Sequence, residues 1–190
     1  RVCGHLMGYD GREAKAQLAY VPDQPFLYEK LTGREFMDFV ARMYKLPPEI
    51  RKQRSKALFD RLEMHDFLDQ LTESYSHGMK QRTVLAAALL HQPRVLVIDE
   101  PMVGLDPKTV RTVKELMRQM VLEGGTIFMS THTLEVAEAV ADRIGIIHHG
   151  RLVAVGQLAE LRQQASQLGS LEDIFLRLTT EEEKLSEDQV

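Results

Sequence analysis

The stretch RVLVIDEPMVGLD, Arg94 to Asp106, runs four apolar residues, Val95–Ile98, directly into two adjacent carboxylates, Asp99 and Glu100. A short continuous apolar run of this kind is a buried parallel strand, and its end delivers both acids to one place. Phosphoryl transfer uses such a pair: the first acid holds Mg²⁺, directly or through water, and the second polarises the attacking water. A strand that simply ends in solvent-facing acids explains the same two residues without chemistry. Further along, Asp106 followed by Pro107 has the form of a helix start, Asp as N-cap and Pro at the first helical position, with Gly104 permitting a tight turn before it. Capping alone accounts for that segment.

Two more stretches carry groups suited to a phosphate. In SYSHGMKQR, Ser74 to Arg82, Ser76 is a candidate N-cap, Gly78 lets backbone approach a ligand, and the N–H groups of the helix that begins here attract an anion. Plain capping is the competing explanation. In FMSTHTLEVAEAVADRI, Phe128 to Ile144, His132 directly follows a strand, where its ring could donate to a phosphate oxygen or serve as an ordinary loop histidine.

The elements that would position these groups alternate along the chain. Strand candidates at Gln17–Val21, Val95–Ile98, Thr126–Met129 and Ile144–Ile147 are separated by helical segments, which predicts an α/β domain with a largely parallel sheet. Between Leu31 and Leu71 the pattern stays helical. Thr32 and Glu35 have capping-box spacing, Phe36, Phe39, Val40 and Met43 recur on one face, and Pro47 and Pro48 break the run before Ile50–Met64. VLAAALL, Val84 to Leu90, is apolar all round and predicts a buried helix. GRLVAVGQLAELRQQ and SLEDIFLRLT, near the C-terminus, predict a short strand and two helices, a lid or an interface.

Composition bounds the reading. The 190 residues, 44% hydrophobic and 27% charged, suit one globular domain with room for a small subdomain. The net charge of -4 gives no basic footprint for nucleic acid, and the acidic Glu181–Glu183 and Asp188 read as a solvated or frayed end. The single Cys3 excludes an internal disulfide and fits a reducing compartment, and no apolar run nears the roughly 18 residues of a membrane span. The chain starts at Arg1 without a signal-peptide pattern, and is expected to be the remainder of something longer.

In order and spacing, these segments resemble the nucleotide-binding domain of ABC transporters. YSHGM, Tyr75 to Met79, stands where the family has its LSGGQ signature, followed by Lys80-Gln81-Arg82; VLVIDEP matches Walker B, GLDP the D-loop, and STH the switch histidine. AYVPDQPFLYEKLTGREFMDF resembles the Q-loop leading into the helical subdomain, and GRLVAVG with SLEDIFLRLT resembles the C-terminal part of bacterial exporter ATPases of the multidrug or antibiotic-resistance type. The resemblance implies a P-loop NTPase-like fold divided into a partial core and Q-loop region at 1–30, a helical subdomain at 31–75, a signature, Walker B and switch core at 76–156, and C-terminal helices at 157–190.

It also implies roles. Asp99 would hold Mg²⁺, Glu100 would orient and deprotonate the attacking water, and His132 would bind the γ-phosphate of ATP. Ser76 and Gly78 would contact the γ-phosphate held by the opposite protomer, and Asp106 would work across the dimer interface. The implied partners are a transmembrane permease subunit, docking near Asp23–Leu31, and a second nucleotide-binding domain in a homo- or heterodimer, with no nucleic acid. The implied location is the cytoplasmic face of the cell membrane.

Three departures qualify the match. No G-x-x-x-x-G-K-[ST] phosphate loop is present, since YDGREAK has neither its glycine spacing nor its Ser/Thr. The Q-loop glutamine is expected directly after YVP, where Asp23 stands, with Gln24 one step later; a carboxylate there could still reach Mg²⁺ through water. His77 and Met79 replace the first glycine and the terminal Gln of the signature. Two other readings remain: a non-transport member of the superfamily acting in translation or DNA repair, which usually carries paired domains or long coiled coils, and a regulatory module that keeps the fold without hydrolysis.

Overall fold

The computed structural model describes residues 1–8, 11–164 and 170–187, with side chains as far as Thr180. Three of the four apolar runs form one parallel sheet, β1 (Leu18–Val21), β2 (Val95–Asp99) and β3 (Thr126–Ser130), in the order β1-β2-β3. Its register sets Val21 opposite Ile98 and Asp99 opposite Ser130. Parallel pairing brings every strand's C-terminal end to one edge, so residues following β1, β2 and β3 share that edge.

The sheet belongs to the first of two compact units, Arg1–Ser130. Its helices are α1 (Arg12–Ala16), α2 (Gly33–Met43), α3 (Pro48–Arg61), α4 (His77–Leu90) and α5 (Pro107–Leu122). The central one, α4, buries Val84–Ala88 and Leu90 and packs against β1, α2 and α3, as its all-apolar second half must. The capping box of α2 forms as read from its spacing: Thr32 Oγ1 accepts from Glu35 N at 3.2 Å while Glu35 Oε2 accepts from Thr32 N at 2.8 Å. Pro48 opens α3, two residues before the expected start.

The apolar face of α2 is displaced from the one its periodicity predicts. Gly33, Phe36, Met37, Val40 and Ala41 are buried, whereas Phe39 and Met43 are 44% and 58% exposed. Periodicity identifies an apolar stripe but not how much of it neighbouring elements cover.

The second unit, Thr131–Val190, holds α6 (Leu134–Val140), β4 (Ile144–His148), β5 (Arg151–Gly156), α7 (Leu158–Gln164) and α8 (Leu171–Glu187) around a small core of Ile144, Ile146, Ala154, Leu161, Leu171 and Ile174. Here the expectation for Ile144–Ile147 is corrected: this strand pairs antiparallel with β5. The turn between them, His149-Gly150, has φ of 45° and 76°, the left-handed pair of a two-residue hairpin, which is too short for the crossover that parallel strands need. The strand and two helices expected near the C-terminus are all present. The end expected to fray is helical through Glu187, while Asp188, like Tyr9 and Asp10 of YDGREAK, lies outside the described residues.

Candidate functional site

At the shared edge of the sheet, Asp99 is the last residue of β2 and Glu100 the first beyond it, both half-buried. Asp99 Oδ1 accepts a 2.5 Å hydrogen bond from Ser130 Oγ, the last residue of β3. Glu100 N donates to Ser130 O at 3.1 Å, which carries the ladder one step past the strand. There the backbone turns left-handed: Glu100 has φ 46°, a conformation uncommon for a residue with a side chain. Such backbone persists only where surrounding structure imposes it, and it concentrates at functional sites. Asp23, half-buried, follows β1 by two residues and so lies at the same edge. Edges of this kind are where open parallel sheets take ligands.

The donor set suits one cation class. Among the described residues no group of three or more His, Cys, Asp or Glu could hold a metal by itself. Mg²⁺ does not require such a cage, because it keeps several waters and is held by one or two carboxylates together with substrate phosphates. Asp99, oriented by Ser130, fits that role.

The start of α4 is built as the sequence suggests. Ser76 is its N-cap, exposed, accepting from Met79 N at 3.3 Å, while the Met79 thioether accepts from Ser76 N at 3.4 Å. Gly78 sits so close to the turn after β2 that a Cβ there would be 3.2 Å from the carbonyl oxygen of Gly104. The helix N-terminus therefore abuts the loop that carries Glu100. Arg82, one turn on, donates from Nη1 to the carbonyls of Leu62 and Glu63 at 3.2 and 3.0 Å and from Nε to Gly78 O at 3.4 Å, and stacks on Phe67. It ties the C-terminal end of α3 to the first turn of α4.

Asp106 is the N-cap of α5. Its Oδ1 accepts from Lys108 N and Thr109 N, both at 3.0 Å, and Oδ2 accepts from Thr109 Oγ1 at 2.6 Å. Those bonds, the Thr109 hydroxyl foremost, hold its carboxyl below the usual carboxylate range. Both oxygens are thus engaged within the chain. Gly104 supplies the expected turn, with φ 73°. In the second unit His132 is exposed, two residues past the end of β3, in the bend that leads to α6.

Four residues that position these groups escaped the sequence reading. Ser130 and Arg82 stand inside the FMSTH and SYSHGMKQR stretches, which carry no signal for their partners. Tyr75 is buried, donating to Phe67 O at 2.8 Å and accepting from Gly33 N at 3.1 Å, so it joins the start of α2 to the residue before Ser76. His77 packs on Gly104. All are contacts between distant segments, to which local spacing is blind.

A family model described as ABC transporter matches residues 4–103. The ABC-type transporter ATP-binding protein EcsA of Bacillus subtilis (strain 168) is 35% identical over 180 residues, covering 94% of this chain and 73% of EcsA. The linearmycin resistance ATP-binding protein LnrL of the same organism is 34% identical over 94% of this chain, which spans 56% of LnrL. Among solved structures, one titled as the ATP binding subunit of an ABC transporter superposes with a TM-score of 0.84 at 34% identity, covering 88% of this chain and 70% of that one. The fold is the α/β, P-loop NTPase-like fold of those subunits.

Proposed function

The chain belongs to the ABC transporter family of ATP-binding proteins, and from that premise we propose that it binds and hydrolyses Mg-ATP as part of a dimer, driving export of a substrate through a separate membrane subunit. The observation that carries this reading is the meeting, in one unit, of Asp99 and Glu100 at the end of β2 with the capped N-terminus of α4 one turn of loop away. Phosphoryl transfer needs little else from a protein than positioning and charge stabilisation.

In this reading Asp99 holds Mg²⁺, which when bound offsets the negative charge on the phosphates. Glu100 orients the attacking water and takes its proton. The N–H groups at the start of α4, with Ser76, face the γ-phosphate held by the opposite protomer, and Asp106 keeps the first turn of α5 in place at that interface. His132 takes the γ-phosphate contact that the family pattern assigns to it. Asp23 stands in for the Q-loop glutamine and would supply a carboxylate on the metal's side of the site. A few residues further on, Phe26 and Tyr28 are 73% and 49% exposed, and Tyr28 packs edge-on to Phe26 and to Phe39 of α2, itself 44% exposed. An aromatic patch of this kind supports docking of the permease there. No described helix is long and apolar enough to cross a membrane; in this reading the permease holds the chain at the inner face of the membrane.

The test is titration calorimetry with Mg-ATP. The 190-residue chain, with no phosphate loop, is expected to bind no tighter than millimolar, worth about 4 kcal/mol, and a protein that carries the loop upstream of Arg1 to bind in the micromolar range, about 8 kcal/mol. Equal, millimolar binding by both would contradict the reading.

A further inference from the structure

The loop from Glu100 to Asp106 is weakly held from within. Its two internal backbone hydrogen bonds, Val103 N to Glu100 O and Leu105 N to Met102 O, are 3.3 and 3.4 Å long, beyond the usual range for N–H···O. Two of its residues, Glu100 and Gly104, have left-handed backbone, which suits glycine and strains glutamate. Support from outside helps to hold this shape: Glu100 N donates to Ser130 O at 3.1 Å at one end of the loop, and the start of α4 packs on Gly104 towards the other. The His77 imidazole lies on the bare Cα of Gly104, so close that a Cβ at 104 would collide with the ring carbon Cδ2 and stand 3.1 Å from Nε2. On the other side of the contact, the bare Cα of Gly78 receives the Gly104 carbonyl.

We propose that His77 is a positioning residue for ATP hydrolysis: packed on Gly104, its ring clamps the loop from Glu100 to Asp106 against the first turn of α4 and so fixes the backbone that aims Glu100. This rests on the reading of Glu100 as the group that orients the water. The family pattern has glycine where His77 stands, so His77→Gly removes the clamp without adding bulk. The ring acts by filling space, so His77→Phe keeps the clamp.

Hydrogen exchange on the 190-residue chain tests the contact independently of turnover. In His77→Gly the amides of Val103 and Leu105 are expected to exchange about tenfold faster, with those of Leu96 and Ile98 in β2 unchanged, and His77→Phe to stay near the parent. A double-mutant cycle on thermal stability adds a second reading. Gly104→Ala should be less damaging in the His77→Gly background, where the collision is gone and only the strain of positive φ remains. Unchanged exchange together with an additive cycle would overturn the clamp. In a protein that carries the phosphate loop, His77→Gly is expected to lower kcat about tenfold at unchanged KM for ATP, with recovery in His77→Phe. A parental kcat in His77→Gly would overturn the positioning role. Should Glu100→Gln itself hydrolyse ATP at the parental rate, the reading of Glu100 fails, while the clamp still stands or falls on exchange and the cycle.

Discussion

Ser130 Oγ donates a 2.5 Å hydrogen bond to Asp99 Oδ1, joining the final residues of two adjacent parallel strands. The bond turns the Asp99 carboxylate and leaves its orientation dependent on a neighbour that carries no charge. Partners of this kind are worth about 10- to 100-fold in metal affinity or activity. Ser130→Ala, in a protein that carries the phosphate loop, is therefore expected to raise the Mg²⁺ concentration for half-maximal ATPase activity by at least about tenfold. Titration of activity with Mg²⁺ measures this, and an unchanged midpoint would mean that Asp99 needs no orienting partner.

Tyr75 makes a second prediction, about stability. Its buried hydroxyl serves the Gly33 N–H and the Phe67 carbonyl together, and Gly33 leaves no room for a side chain against it. Tyr75→Phe strands the Gly33 N–H, while the Phe67 carbonyl keeps the bond it accepts from Gln70 N at 2.9 Å, a loss of about 1–3 kcal/mol. Urea unfolding should show a lower midpoint at unchanged slope. A midpoint equal to the parent's would mean that water replaces the hydroxyl.

The third concerns acid. His91 stacks on Tyr44, ring centroids 3.6 Å apart and planes within 7°, and burial, aided by the charge of Arg54, pushes its imidazole down to about 4 from 6.5. The folded protein therefore refuses a proton that the unfolded chain accepts. This contribution to stability is intact above about pH 6.5 and is lost progressively as pH falls towards 4, where the loss levels off. His91→Phe keeps the stack and removes the titration, so its melting temperature should fall less steeply over that window. Parallel slopes for the two proteins would place the acid sensitivity elsewhere.

What was legible in the sequence was local. The caps at Thr32, Ser76 and Asp106, the turn at Gly104, the buried α4 and three strands of the parallel sheet each follow from residues within a few positions of one another. What escaped depends on segments far apart in the chain. The exposure of Phe39 and Met43 depends on what covers α2, and the Ser130–Asp99, Tyr75–Gly33 and His77–Gly104 contacts join residues tens of positions apart. The left-handed Glu100 is a case between the two. Its position at a strand end was visible, whereas its backbone conformation is imposed by the loop it enters.

Steady-state ATP hydrolysis by a protein in which a phosphate loop is joined upstream of Arg1, compared with its Glu100→Gln form, tests the functional reading most directly. Removing a general base costs about 10²-fold or more in rate. Glu100→Gln is expected to bind Mg-ATP as the parent does and to hydrolyse it at least about 100-fold more slowly; hydrolysis at the parental rate would contradict the assignment of Glu100 and the ATPase site built around it.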